Sequence, residues 1–256
     1  MHVGSGKANY GVVDQLVQRD PTFQYPTIHS SSLKGAIKEY CHHAHYQNIK
    51  EVFGSEKQDG KTNHAESQIG SYKFFDANLL AIPVRCDKRA FVHITCPLIL
   101  NDLSNQYTEL KEDLKILSGI FNSSDAPKAY AFSSDLNSAT IEDFDIKATY
   151  DESKQSLLTN SVNKLFGYDI VIVQDEYFKR LTNDLHLPVI ARNYLENGES
   201  KNLWYEQVVP RLSLFWSMIF FDNDYKLFDW ISGENKLIQV GANGSIGYGF
   251  CSFSKI

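Results

Sequence analysis

The chain has 256 residues, 43% hydrophobic and 13% aromatic, enough to bury a sizeable core in one large domain or two small ones. It contains no run of about 18 apolar residues, so no membrane-spanning helix is expected, and its start, MHVGSGKANYG, lacks the basic and apolar regions of a signal peptide. The net charge of −6 argues against a uniformly basic nucleic-acid binder, but residues 101–160 hold 11 acidic and 5 basic side chains and the remainder 20 of each, so a basic groove outside that segment is compatible with the total.

In chain order, His2-Val3-Gly4-Ser5-Gly6 is a short glycine turn beside a histidine. By itself it reads as a chain start without fixed structure. Asp14 follows Val12-Val13 and precedes Leu16, a lone carboxylate in apolar sequence. Such an aspartate is ordinarily a turn residue or a cap; its functional reading is a metal ligand or a base beside an RNA phosphate. Leu33, Ala36, Ile37, Tyr40, Cys41 and Ala44 recur at helical spacing behind three serines suited to an N-cap. Lys34 falls in the first turn of that helix, where it opposes the helix dipole unless an anion is bound. Ser31, Ser32, the first N–H groups and Lys34 would together make a phosphate site; the plainer alternative is a solvated surface lysine. The run Cys41 to His45 makes a poor metal site, because on a helix only Cys41 and His45 share a face.

Residues 54–70 read as a polar, glycine-dotted loop. DANLLAIPVRCDKRAFVHITCPLIL reads as a hairpin, with strands at 79–85 and 90–96 around a turn at 86–88. Leu110, Leu114, Leu117 and Phe121 mark a helix over 107–121. Residues 122–160, rich in Ser, Asp and Asn, read as irregular, within an insertion spanning about 100–160. A strand at 168–173 leads into a helix at 175–183, and residues 189–209 form a long hairpin turning at Asn197-Gly198. RLSLFWSMIFF reads as one buried strand, Tyr225 to Ile231 as a short helix, and KLIQVGANGSIGYGFCSFSK as strand, glycine loop, strand. Gly241, Gly244, Gly247 and Gly249 fall within nine residues, either a tight bulged hairpin or a nest of N–H groups for an anion. Four scattered cysteines without a CxxC pair suit reduced thiols in a cytoplasm. Interleaved strands and helices with frequent hairpins give an α+β class with a mainly antiparallel sheet.

HVGSG with GVVDQLVQRD, YPTIHSSSLKGAIKEY, FFDANLLAIPVRCDKRAFVHITCPLIL, LWYEQVVPRLSLF and IQVGANGSIGYGF together resemble, in order and over nearly the whole chain, a known family. It is the backbone subunit, the fourth of the Cmr module, of type III-B CRISPR effector complexes, within the RAMP superfamily of RNA-binding proteins. The resemblance implies a single RAMP domain over 1–256, a modified ferredoxin-like, RRM-type core with a projecting β-hairpin thumb at 189–209. It implies copies stacked helically along a guide RNA beside other Cmr-module subunits. Each thumb would displace one nucleotide of the guide–target duplex, and target RNA would be cut once per copy at regular intervals. The family's catalytic aspartate aligns with Asp14 and its guide-contacting lysine with Lys34. The matching motifs make His2, Gly4, Ser5, Gly6, Arg19, Ser31, Ser32, Gly241, Asn243, Gly244 and Gly247 candidate RNA contacts, and Glu206 a candidate second acid. A divalent ion, Mg or Mn, would serve cleavage, with Asp14 its candidate ligand. Two alternatives stay open: an architectural subunit that binds guide RNA without cutting, and a guide-processing ribonuclease.

Overall fold

In the computed structural model the described residues are 1–6, 11–55, 68–121, 126–142, 146–166, 169–233 and 235–256. Most of the polar loop expected at 54–70 lies outside them, as do residues 7–10, between the two parts of the opening motif. A two-residue strand β1 (Thr27–Ile28) feeds helix α1 (Ser30–His43), followed by α2 (Ile49–Phe53). Leu33, Ile37 and Cys41 of α1 are buried, one per turn, which is why this stretch is a helix with one face inward. The same spacing takes Cys41 into the core and leaves His42 and His43 exposed.

Next come β2 (Tyr72–Phe74), β3 (Ala77–Val84) and β4 (Val92–Thr95), then α3 (Pro97–Gln106) and α4 (Lys111–Ser118). The hairpin of β3 and β4 is as expected, but α3 has no counterpart in the sequence reading. Pro97 sits in its first turn, and Ile99, Leu100 and Leu103 bury its inner face. A short apolar run directly after a strand is ambiguous between helix and strand, and the proline was the usable signal.

The segment expected to be irregular instead supplies β5 (Ala129–Ala131), β6 (Ala148–Tyr150) and α5 (Glu152–Gln155), and α6 (Asn160–Phe166) begins at its last residue. Then follow β7 (Ile170–Val173) and α7 (Asp175–Thr182). The main sheet has the order β1-β3-β4-β7-β5-β6, so β5 and β6 belong to it. Three-residue strands are too short to show an alternating pattern, and only the pairing of β5 with β7 and of β6 with β5 reveals them. Among the described strands pairing is antiparallel except at β4–β7 and β5–β6, which makes the sheet mixed. VHIT and IVIV are buried throughout, as strands covered on both faces must be.

The hairpin β8 (Val189–Glu196) and β9 (Glu199–Gln207) turns at Asn197 and Gly198, both at positive φ, 52° and 84°. This is the Asn-Gly turn whose twist matches its strands. Most of its residues are exposed; Glu206 and Gln207 at its root are buried. RLSLFWSMIFF is not one buried strand. It divides at Ser217-Met218 into β10 (Leu214–Trp216), paired with β3, and β11 (Ile219–Phe221), paired with β2. Phe220 and Phe221 are exposed. Helix α8 (Leu227–Ile231) precedes β12 (Ile238–Gln239) and β13 (Phe250–Cys251), which flank the glycine loop.

Buried apolar residues among those described fall into two clusters. One joins the main sheet to α3, α4, α6 and α7; the other joins α1, α2, β2, α8 and β12. Phe215 packs against both. No helix among the described residues is long and apolar enough to cross a membrane.

Candidate active site and nucleic-acid interface

Four separate pieces of sequence converge at the hairpin root. Gln15 pairs in parallel with Glu206: its N–H donates to the Tyr205 carbonyl at 3.1 Å, and its carbonyl accepts from the Gln207 N–H at 2.9 Å. The chain start runs alongside, with the Ser5 N–H bonded to the Leu16 carbonyl and the Gln18 N–H to the Val3 carbonyl. The glycine loop closes the group through the Ala242 N–H, which donates to the His2 carbonyl at 2.9 Å.

Asp14 stands at the surface of this assembly. Its Oδ2 accepts a 2.7 Å hydrogen bond from the Tyr205 backbone N–H. Its Oδ1 has no partner among the described residues. The carboxylate is therefore oriented by the hairpin and still available. Sequence reasoning could not find the orienting group, because it is a main-chain N–H 191 positions away.

Glu206 is placed otherwise. It is 2% exposed and both its oxygens are engaged: the Asn243 side-chain amide donates to Oε1 at 2.7 Å and Arg192 Nη1 to Oε2 at 3.0 Å. His2, 3% exposed, puts Nε2 3.6 Å from Oε1, while its Nδ1 lies 2.7 Å from the Gln207 carbonyl. A carbonyl only accepts, so Nδ1 of this imidazole carries a proton. His2 is thus an internal tie, while Gly4, in a bridge with Val17, and the exposed Gly6 lie on the strip it anchors.

Gln18 was missed by the sequence reading. Its Oε1 accepts from the His29 N–H at 2.8 Å and its Nε2 donates to Ser32 Oγ at 3.2 Å, linking this strip to the start of α1. There Ser31 is exposed and Ser32 and Lys34 are half-buried. The first turn of α1 carries no acidic residue, and Lys34 has no ion-pair partner among the described residues. Arg19 is engaged internally: Nε donates to Asp184 at 2.8 Å, and Nη1 to the carbonyls of Gln24 and Thr182 at 2.6 and 2.8 Å. Burial works against its charge and Asp184 partly restores it.

In the glycine loop Asn243 and Gly247 are left-handed, at φ 67° and 86°, around a turn that includes Gly244. Gly241, at φ 87°, brings its backbone so close to the chain start that a Cβ there would lie 2.2 Å from the His2 carbonyl oxygen. No carbonyl among the described residues accepts from the N–H groups of Asn243, Gly244 or Ser245, which makes them candidates for an anion.

No group of three or more His, Cys, Asp or Glu side chains among the described residues could hold a metal. The donor set at Asp14 is a single free carboxylate oxygen. That suits a magnesium-type ion, which keeps most of its waters and completes its shell with phosphate oxygens, and does not suit an all-protein cage.

The family model described as the RAMP superfamily matches residues 1–252. The chain is 30% identical over 279 aligned positions to the CRISPR system Cmr endoribonuclease Cmr4 of Pyrococcus furiosus, covering 97% of this chain and 90% of that protein. It superimposes on a chain of the type III-B Cmr-beta complex bound to cognate target RNA with a TM-score of 0.72, at 25% identity over 97% and 90% of the two chains. On a chain of the apo complex the TM-score is 0.73, at 23% identity over 98% and 91%.

Proposed function

The chain belongs to the RAMP superfamily, in the family of the Cmr4 subunit of type III-B CRISPR complexes, and on that premise we propose that it binds guide RNA as a repeated backbone subunit and cleaves target RNA with Asp14. One observation carries the reading. An exposed carboxylate with a free oxygen is oriented by the main chain at the root of a long exposed hairpin.

Sequence specificity then comes from base pairing between guide and target, and the protein needs only backbone contacts, a division of labour known for RNA-guided recognition of DNA. Ser31, Ser32, the first N–H groups of α1, Lys34 and the N–H groups of Asn243, Gly244 and Ser245 in the glycine loop supply them. The hairpin serves as the thumb of a modified ferredoxin-like core and bends the strand beside Asp14. In the bent strand a 2′-hydroxyl oxygen attacks the adjacent 3′-phosphorus in line, the P–O5′ bond breaks to leave a 2′,3′-cyclic phosphate, and the departing 5′-oxygen takes a proton from water. Asp14 stands to accept the hydroxyl proton. Alternatively, the same free oxygen would hold a divalent ion, Mg or Mn, which would stabilise charge developing on the phosphate while the hydroxyl proton passes to water. Several copies on one guide would make modest contacts per copy sufficient.

Asp14→Asn in the assembled complex is expected to reduce target cleavage by at least about 10²-fold, with guide and target binding unchanged in a filter-binding assay. Undiminished cutting by that variant would leave an architectural subunit as the better reading. Chelation by EDTA is expected to stop cleavage and added Mg²⁺ to restore it.

A further inference from the structure

Glu206 is a buried anion at a junction of segments, and burying a carboxylate is costly unless it is paired and hydrogen-bonded. Its partners come from three places. Arg192 belongs to β8, Asn243 to the glycine loop and His2 to the chain start. The Arg192 guanidinium also lies over the Trp204 ring, 5.6 Å from its centroid, so the ion pair is braced by the cross-strand neighbour. Meanwhile the main chain on either side of Glu206 holds Gln15, and the N–H one residue earlier holds Asp14. The Glu206 side chain and the backbone of its two neighbours, Tyr205 and Gln207, thus tie together the hairpin, the glycine loop and the carboxylate assigned to cleavage.

Both Glu206 oxygens are already met by donors, and at 2% exposure neither reaches solvent. A proton shuttle to RNA is therefore a poor use of this group. We propose that Glu206 is a positioning residue: its pairing with Arg192 and Asn243 locks the hairpin root against the glycine loop, so that the Asp14 carboxylate keeps a fixed place relative to the bound strand. This rests on the reading above that Asp14 cleaves RNA.

The test uses Glu206→Gln, Arg192→Gln, their double variant and Asn243→Gly. Glycine tolerates the left-handed backbone at 243, so that last change removes only the side-chain bond. Cleavage is measured in the assembled complex, and amide exchange at Gln15, Tyr205 and Gln207 in the isolated chain. Glu206→Gln is expected to lower kcat about tenfold or more with KM for target RNA and the shape of the pH–rate profile unchanged, and to speed exchange at the three amides. The double variant, with two neutral amides facing each other, is expected to recover to within about threefold. Asn243→Gly is expected to move exchange and kcat in the same direction, and it reports on the lock even if Glu206→Gln does not fold. A stability effect alone would leave kcat of the folded fraction untouched and would count against the proposal. Loss of one limb of the pH profile in Glu206→Gln, without recovery in the double variant, would overturn it in favour of proton transfer. Unchanged exchange and rate in Asn243→Gly and Glu206→Gln would overturn it outright. Faster exchange in the variants of a chain whose native complex does not cut would leave the lock standing and remove the cleavage reading instead.

Discussion

Asp14 and Lys34 carry opposite charges and have opposite relations to the fold. Asp14 is held by one main-chain donor, an exposed charge-assisted bond worth about 1 kcal/mol after solvent screening, so its replacement by Asn should barely change the melting temperature while removing cleavage. Lys34 has no ion-pair partner among the described residues, so removing it should not destabilise α1. If it contacts a phosphate, Lys34→Ala should weaken RNA binding and reduce the slope of log K against log salt by about 0.7, the value for one phosphate on a single strand. An unchanged slope in a salt titration would assign it to solvent. Gly241 makes a third residue-scale prediction. Its left-handed backbone and the 2.2 Å approach to the His2 carbonyl leave no room for a methyl group. Gly241→Ala should cost at least about 2 kcal/mol in urea unfolding and detach the loop from the chain start.

Among the elements, the hairpin and α4 differ in what holds them. The hairpin is exposed along most of its length, so its order depends on its ladder, its turn and its buried root. No atom crowds Gly198, but its φ of 84° disfavours any side chain. Gly198→Ala should therefore cost about 1 kcal/mol locally. Amide exchange within β8 and β9 should speed about fivefold, with global unfolding unchanged. In α4, Leu114 and Leu117 are fully buried under the main sheet. Leu117→Ala should cost about 2–5 kcal/mol, read as a lower urea midpoint for the whole cluster.

For the molecule as a whole, stability should depend on pH through His93. This β4 residue is 1% exposed and its Nε2 lies 2.8 Å from the Leu212 carbonyl. Burial holds its imidazole below the usual range, with the Leu212 bond partly opposing that shift. The unfolded chain binds this proton at the ordinary value of about 6.5 and the native chain only at lower pH. Between those values the unfolded state holds more protons, so stability falls as pH drops below about 6.5 and has no slope from this group above it. Thermal unfolding of His93→Gln from pH 7.5 to 5.5 should show a flatter profile than the parent.

The sequence by itself determined the elements whose signals are local and the order in which they occur. The spacing of Leu33, Ile37 and Cys41 gave α1, Asn197-Gly198 gave the hairpin, and the motifs in series pointed to the RAMP family, because periodicity, turn chemistry and motif order are written along the chain. Tertiary structure alone decided the rest. Three-residue strands such as β5 and β6 exist only through their pairing, and the split of β10 from β11 follows from which strand each one meets. It also gave Asp14 a donor 191 residues distant, engaged Arg19 with Asp184, and enclosed Glu206 between Arg192 and Asn243. A lone Asp, Arg or Glu carries no mark of its future neighbours. Whether it faces water, a partner or a strand of RNA depends on contacts that close only when distant parts of the chain pack together.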